Sequence, residues 1–326
     1  MPETLTELLR RQRRDFEAAG VESPALSAEL LLAEALGLDR SALLHNLILE
    51  PSATIIDIAN QDASKQNVPW QDAREKFLAL CARRLQGEPV AYILGRKEFY
   101  GREFLVNRHT LIPRPETELI VDCALDWAKK RTTETKNQLN AAIGQKTHLA
   151  CFADLGTGSG CLAVTLALEL PGWRGLALDI SDQALNMARE NVSRLGVSKN
   201  LEFVLADFTR FEFAENSLDL LVSNPPYVSA DEYAGLEKGV REFEPHSALV
   251  PQGNMNGSAP SGTELLAPLC ALAARALKPG GLFLMEIGCG QGDYLRSLLA
   301  RDPAWSETDV LPDLAGLDRL VRAVAR

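Results

Sequence analysis

The sequence predicts an α/β protein: a mostly parallel sheet covered on both faces by helices, with a smaller helical region in front of it. Three observations predict this. From residue 150 onward, short apolar runs alternate with helix-period segments, the pattern of parallel strands joined by helical crossovers. The first ninety or so residues instead carry helical periodicity and helix end signals. Between the two regions, "EFYGREFLVN" alternates around Gly101, which predicts a two-stranded hairpin.

In chain order, "SPALSAELLLAEALG" offers Ser23 as a cap, Pro24 at the first helical position and Gly37 just past the end. Asp39 can cap a next helix through Leu43, Leu44, Leu47 and Ile48. The polar stretch "DIANQDASKQNVP" reads as a loop. A helix from Gln71 to Gln86 would bury Phe77, Leu78, Cys81 and Leu85 on one face, with Gly87 closing it. After the hairpin, "LIPRPETELIVDCALDWAKK" predicts a helix, and "RTTETKNQLNAAIGQKTH" a polar surface insertion. The strands are "ACFADLG", "GLALDI", "LEFVLAD", "SLDLLVSN" and "GLFLMEIG", with helices after Gly160, after Ser181 and between Glu264 and Leu277. The tail "WSETDVLPDLAGLDRLVRAVAR" predicts a final strand pair joined by a turn.

Composition bounds the function. With 326 residues the chain is long enough for one large domain and a small one, and its 46% apolar and 24% charged content is ordinary for a globular protein. A net charge of −10 without a dense Lys/Arg block disfavours a broad nucleic-acid face. The six cysteines, Cys81, Cys123, Cys151, Cys161, Cys270 and Cys289, form no CxxC pair and sit in apolar runs, so reduced core thiols are expected. No apolar run reaches the length of a membrane span, and the acidic amino terminus does not read as a signal or transit peptide, so a cytoplasmic location is expected. His45, His109, His148 and His246 show no ligand spacing, and no metal is expected.

Two motifs carry chemistry. "DLGTGSG", Asp154 to Gly160, follows the first strand of the sheet and opens a helix. Glycines admit a ligand close to the backbone, and a helix amino end favours a carboxylate or phosphate. The spacing is G-x-G-x-G, which by itself marks a tight turn as readily as a ligand loop. The second strand ends at Asp179, where nucleotide-binding α/β folds place a carboxylate on ribose hydroxyls, although Asp179 with Ser181 also suits a helix cap. The third strand ends in "ADF", where Asp207 can accept from an adenine amino group and Phe208 can border the base. Jointly, Gly156, Thr157, Gly158, Ser159, Gly160, Asp179, Asp207 and Phe208 predict a nucleoside-type cofactor site.

The second motif is Asn224-Pro225-Pro226-Tyr227, at the end of the fourth strand. Two successive prolines cost the backbone two N–H donors, which helps neither sheet nor helix. The arrangement suits the grip of a planar –NH₂ group. Asn224 and a proline carbonyl each accept one N–H, proline holds its carbonyl in a fixed direction, and Tyr227 supplies a flat wall. With both hydrogens held, the nitrogen lone pair faces an incoming electrophile. The electrophile that suits the glycine loop is the methyl group of S-adenosyl-L-methionine, so Asn224 also borders the cofactor site.

Adenine, cytosine, guanine and glutamine all offer such a group. The strings "QGEPVAYILGRKEFYGREFLVN", "TLIPRPETE", "DLGTGSG", "VSNPPY", "VREFEPHSALV" and "DLAGLDRLV" resemble, in that order, the PrmC/HemK protein-(glutamine-N5) methyltransferases. The resemblance covers nearly the whole chain from Leu85 onward. It implies a Rossmann-like, seven-stranded class I methyltransferase domain at 114–326, a helical release-factor-binding domain at 1–88 and a linking hairpin at 89–113. It further implies that the substrate is the glutamine of the Gly-Gly-Gln (GGQ) loop of class I peptide chain release factors. Cofactor contacts then fall on Gly156 to Gly160, Asp179 and Phe208, and substrate contacts and catalysis on Asn224, Pro225, Pro226 and Tyr227. A monomer without direct nucleic-acid or membrane contact is expected. "QGNMNGSAPSGTE" departs from the family's short Gly-Asp-Gly turn, and the stretches around Asn60 and Lys136 read as insertions.

Two other readings use the same motifs. One is an amino methyltransferase of adenine or guanine in nucleic acid, which the acidic balance disfavours. The other is a non-catalytic protein that binds the cofactor, for which the Asn224 grip has no use. Arg114 and Glu116 match the family's string but also suit a helix start, and Glu242 and Glu244 read as a solvated acidic face in preference to one turned to the substrate cleft.

Overall fold

The computed structural model describes residues 3–49, 70–139, 150–197, 200–252 and 259–326. It divides into one unit of Met1–Gly95 with Lys238–Phe243, and a second of Arg96–Glu237 with Glu244–Arg326.

The first unit is helical: Leu5–Ala18, Pro24–Leu36, Arg40–Leu49, Trp70–Leu85 and Val90–Leu94, with the short helix Lys238–Phe243. Leu5, Leu8, Phe16, Leu31, Leu32, Leu43, Phe77 and Cys81 form its core. Thr4 and Glu7 close a capping box on the first helix. Pro24 and Gly37 take their expected places at the ends of the second helix, but Ser23 does not cap it. Its backbone is left-handed (φ 48°, ψ 54°), and a capping side chain reaches the first-turn N–H groups from an extended backbone. Asp39 does cap its helix, accepting the Ala42 N–H at 2.7 Å. Leu85, expected in the core, is 42% exposed because it ends its helix beyond the turns that Phe77 and Cys81 bury. The stretch "DIANQDASKQNVP" lies outside the described residues.

The second unit begins with the hairpin, β1 (Arg96–Phe99) paired antiparallel to β2 (Arg102–Leu105). Tyr100 (φ 51°) and Gly101 (φ 71°) form the two-residue turn, whose positive φ values match strand twist. Phe99 and Phe104 meet edge to face at 6.1 Å and join the core of this unit.

The sheet contains β3 (Cys151–Leu155), β4 (Arg174–Asp179), β5 (Leu201–Leu205), β6 (Leu218–Ser223), β7 (Leu277–Glu286), β8 (Trp305–Pro312) and β9 (Asp318–Ala325), in the order β5-β4-β3-β6-β7-β9-β8. The first five strands are parallel, and β9 runs antiparallel to both β7 and β8. Side chains leave the central strands alternately into two cores. Leu221, Phe283 and Met285 enter one, while Leu220, Val222, Leu282 and Leu284 enter the other. Burial on both faces is why these strands read as continuous apolar runs. Asp219 tolerates this setting because its carboxylate meets Lys278 at 2.6 Å, Arg131 at 3.1 Å and the Cys151 N–H at 3.0 Å.

Helices Glu118–Leu139, Cys161–Glu169, Asp182–Leu195 and Leu266–Ala276 cover the sheet where helices are expected. Other features differ, among them the unpredicted short helices Ala230–Gly235 and His246–Leu249. Glu118–Leu139 continues into the first half of the predicted insertion, whose remainder (140–148) lies outside the described residues. A further helix, Gly292–Leu299, starts at the last glycine of "GCGQG" and buries Leu295 and Leu299. Cys289, expected in the core, is exposed in that glycine-rich turn. Among the described residues, no helix is long and apolar enough to cross a membrane.

Candidate active site

The glycine loop and the Asn-Pro-Pro-Tyr loop leave neighbouring strands at the same height. Leu155 of β3 is the register partner of Ser223 of β6, and the Ser223 hydroxyl donates to the Leu155 carbonyl at 2.8 Å. Both loops emerge at the carboxyl edge, beside the point where strand order reverses, the position where open α/β sheets hold ligands.

Three glycines of the first loop, Gly156, Gly158 and Gly160, have φ of 76°, 55° and 81°, the left-handed region that side chains disfavour. Asp179, at the end of β4, braces this loop: one carboxylate oxygen accepts the Gly158 N–H at 2.8 Å and the other the Ser181 N–H at 2.9 Å. The helix cap is therefore Ser181, whose hydroxyl accepts from the Ala184 N–H at 3.2 Å. Burial raises the Asp179 carboxyl above its usual range, against the lowering effect of those N–H bonds. Each of its oxygens keeps a further lone pair for hydroxyl donors.

Asp154, at the root of the loop, is fully buried. One of its oxygens accepts the Thr157 hydroxyl at 2.6 Å and the Ala163 N–H at 3.2 Å, while Oδ1 has no hydrogen-bond partner. Burial pushes this carboxyl up to about 7. The Phe208 ring stands against Gly156, its Cε1 3.9 Å from where a β-carbon would lie, so the glycine loop and the end of β5 meet. Asp207 turns one oxygen to the Thr209 N–H and hydroxyl at 2.9 and 2.6 Å, with Arg210 3.5 Å from the other.

The Asn-Pro-Pro-Tyr loop sits in a hydrogen-bonded frame. Asn224 Nδ2 donates to Thr117 Oγ1 at 3.1 Å, and the Thr117 hydroxyl donates to Glu286 at 2.6 Å. The Tyr227 hydroxyl donates to the other oxygen of Glu286 at 2.9 Å. Burial of Glu286, at the end of β7, raises its carboxyl, and burial with the nearby Glu286 charge raises the Tyr227 phenol. Gln291 donates to the carbonyls of Tyr227 (2.9 Å) and Gly262 (3.0 Å), fastening the segment before helix Leu266–Ala276 to the loop. The Ala230 N–H donates to the Pro260 carbonyl at 2.9 Å, a second tie to that segment. Residues 253–258 of the divergent stretch lie outside the described residues.

Glu244 corrects a sequence expectation. It is not a solvated face: its side chain is 1% exposed and accepts from Arg114 at 2.5 Å and from the Ile112 N–H at 3.1 Å. Arg114 is thereby fixed at the start of the Pro115–Thr117 turn that presents Thr117. Reading the sequence alone missed Asp154, Thr117, Glu286 and Gln291 as site residues. A lone acid at the end of the apolar run "GLFLME" was the available signal for Glu286. Among the described residues, no cluster of His, Cys, Asp and Glu suits a metal ion.

Numbering only its own strands, the sheet order is 3-2-1-4-5-7-6, with the last strand inserted antiparallel. This is the sheet of class I S-adenosylmethionine-dependent methyltransferases, and a methyltransferase domain model matches residues 152–245. A model of the PrmC N-terminal domain matches residues 7–61 and 65–95. Proteins named release factor glutamine methyltransferase are similar over the whole length. That of Nitratidesulfovibrio vulgaris is 43% identical, covering 98% of this chain and 95% of the relative. That of Chlorobaculum tepidum is 37% identical over all of both chains, and that of Koribacter versatilis 36% over 98% and 97%. The chain belongs to the release factor glutamine methyltransferase family.

Proposed function

We propose that this protein transfers a methyl group from S-adenosyl-L-methionine to the side-chain amide nitrogen of the glutamine in the GGQ loop of class I peptide chain release factors. The observation that supports this reading is the Leu155–Ser223 junction, which sets the glycine loop beside the Asn-Pro-Pro-Tyr loop. The names of the full-length relatives support the choice of substrate.

The residues present fit the cofactor. A buried carboxylate oxygen without a partner, Asp154 Oδ1, lies beneath the glycine loop and suits the ammonium of the methionyl part. Gly156 to Gly160 would hold that part's carboxylate, Asp179 the ribose hydroxyls, and Asp207 with Phe208 the adenine. When bound, S-adenosylmethionine would supply an electrophilic methyl carbon for the amide nitrogen, with the sulfur, keeping the electron pair of its broken bond, as leaving group.

This chain's own residues orient the amide. Asn224, with its Nδ2 committed to Thr117, offers Oδ1 to one substrate N–H, and the Pro225 carbonyl takes the other. Proline has no N–H to compete, and the Tyr227 ring, held by Glu286, walls the plane of the carboxamide. The nitrogen lone pair of a planar amide is delocalised, so holding both hydrogens toward a pyramidal geometry favours the transition state over the ground state. The proton is released to solvent after transfer, so no strong base is required. The protein acts as a cytoplasmic monomer on a protein substrate. Its net charge of −10 supports the absence of direct nucleic-acid contact.

The test is incubation with labelled cofactor and, in parallel, purified release factor, RNA and DNA. Label enters the release factor and is lost when its loop glutamine is changed to alanine. Label in nucleic acid and none in the release factor overturns the reading.

A further inference from the structure

We infer that Thr117 and Glu286 are positioning residues that fix which way the Asn224 carboxamide faces, and thereby make the site accept an N–H donor; this rests on the methyl-transfer reading above. An asparagine amide has a donor end and an acceptor end of nearly the same shape, and only its hydrogen-bond partners decide its orientation. A hydroxyl alone does not decide it, because Thr117 could donate to a carbonyl oxygen or accept from an amide nitrogen with equal ease.

Glu286 removes that freedom. Its side chain is buried, and its two oxygens face two hydroxyls, Thr117 at 2.6 Å and Tyr227 at 2.9 Å. Ionised, the form that the nearby Arg319 charge favours against burial, the carboxylate has only lone pairs to offer, so both hydroxyls aim their protons at it. The Thr117 proton is then spent, and only lone pairs remain toward Asn224. The amide end 3.1 Å away must therefore be the –NH₂. Oδ1 is left on the opposite side of the carboxamide as an acceptor. The reversed amide would set two acceptors against each other at Thr117 and two –NH₂ groups against each other at the substrate, leaving buried polar groups unsatisfied.

The same carboxylate holds the Tyr227 ring, so one buried charge directs both the acceptor and the flat wall of the grip. Its own charge is supported by Arg319, which pairs with Asp313 at 3.2 Å and donates to the Ile287 carbonyl at 3.3 Å, next to Glu286. Thr117 in turn is presented by a turn whose first residue, Arg114, is locked onto Glu244. The "RPETE" string and the end of β7 thus act at the reaction centre through Asn224.

The experiment compares Thr117→Val, Thr117→Ser and Glu286→Gln with the wild type in methyl transfer to release factor. Cofactor affinity by calorimetry and thermal denaturation are measured for each. Valine keeps the shape and removes the relay; kcat falls by about tenfold to a hundredfold, the scale of a misoriented reacting group, while cofactor affinity stays within about twofold. Serine, which keeps the hydroxyl, restores most of kcat. In the Thr117→Val background, Glu286→Gln costs much less kcat than it does alone, because the relay is already cut. A Thr117→Val enzyme with wild-type kcat, or a serine variant no better than valine, overturns the inference even if the protein is stable. The wild-type reaction reports separately on function: no label in the release factor from wild type defeats that reading, whereas labelled product from an unimpaired Thr117→Val enzyme defeats only the relay.

Discussion

Arg114 and Glu244, 130 residues apart in sequence, meet at 2.5 Å, and the Glu244 side chain is almost wholly removed from solvent. The pair closes the second unit around the turn that carries Thr117. Glu244 also takes the Ile112 N–H, so its charge is satisfied from two directions.

Breaking this pair from the arginine side leaves a buried carboxylate with one N–H donor. Arg114→Leu is predicted to destabilise the fold by about 2–4 kcal/mol, somewhat less than the roughly 3–5 kcal/mol of a fully buried broken pair because the guanidinium is itself 32% exposed. Chemical denaturation measures it. A change below about 0.5 kcal/mol would show that the pair behaves as a surface contact.

Gly262 has φ +84°, and a β-carbon there would lie 2.3 Å from the Tyr227 carbonyl oxygen. Gly262→Ala therefore strains the backbone and pushes on Tyr227, the last residue of the Asn-Pro-Pro-Tyr loop. We expect a stability loss of about 1–2 kcal/mol together with a fall in kcat that exceeds any change in cofactor affinity. Thermal denaturation and steady-state kinetics on the same preparation separate the two effects.

Asp154 makes stability depend on pH in a defined direction. Its carboxyl is held up to about 7 by burial against an ordinary value of 3.8. Below pH 4 folded and unfolded chains both keep the proton. From there to pH 7 only the unfolded chain loses it, so this group's contribution favours the native state less as pH rises. Asp154→Asn removes the effect. Relative to wild type, the variant without cofactor gains stability between pH 4 and pH 7, reaching about 4 kcal/mol at most. Denaturation curves at a series of pH values test this, and a wild-type-minus-variant difference that is flat with pH contradicts it.

Asp179 braces the glycine loop, and the proposed function assigns its remaining lone pairs to the ribose hydroxyls of the cofactor. Asp179→Ala is predicted to weaken cofactor binding by about a hundredfold, the loss of charge-assisted hydrogen bonds of 1.5–3 kcal/mol. Calorimetric titration with S-adenosylhomocysteine measures it. Unchanged affinity would assign Asp179 to loop structure alone.

The sheet was legible because strands buried on both faces leave continuous apolar runs, and the hairpin because Tyr100-Gly101 interrupts a clear alternation. The two loops were legible because glycine and proline have few other reasons to cluster at strand ends. The supporting frame was not. Thr117, Glu286 and Gln291 are ordinary polar residues whose partners lie far away in sequence: Thr117 reaches Glu286 across 169 positions and Gln291 reaches Tyr227 across 64. Local pattern carries no trace of such pairings. Glu244 misled for the same reason, since an acid in "VREFEPHS" looks solvated until Arg114 is placed beside it. Helix Gly292–Leu299 was hidden by the glycines before it, although Leu295 and Leu299 keep the i, i+4 spacing of a buried stripe.

The most direct test of the proposed chemistry is methyl transfer to a release factor by Asn224→Ala, with cofactor affinity measured on the same sample. Losing the Oδ1 acceptor is predicted to lower kcat by at least about a hundredfold, comparable to removing an oriented donor or acceptor at a reacting centre, while cofactor affinity changes by less than about threefold. An Asn224→Ala enzyme that turns over at the wild-type rate would contradict the assignment of residues 224–227 as the grip on the glutamine amide.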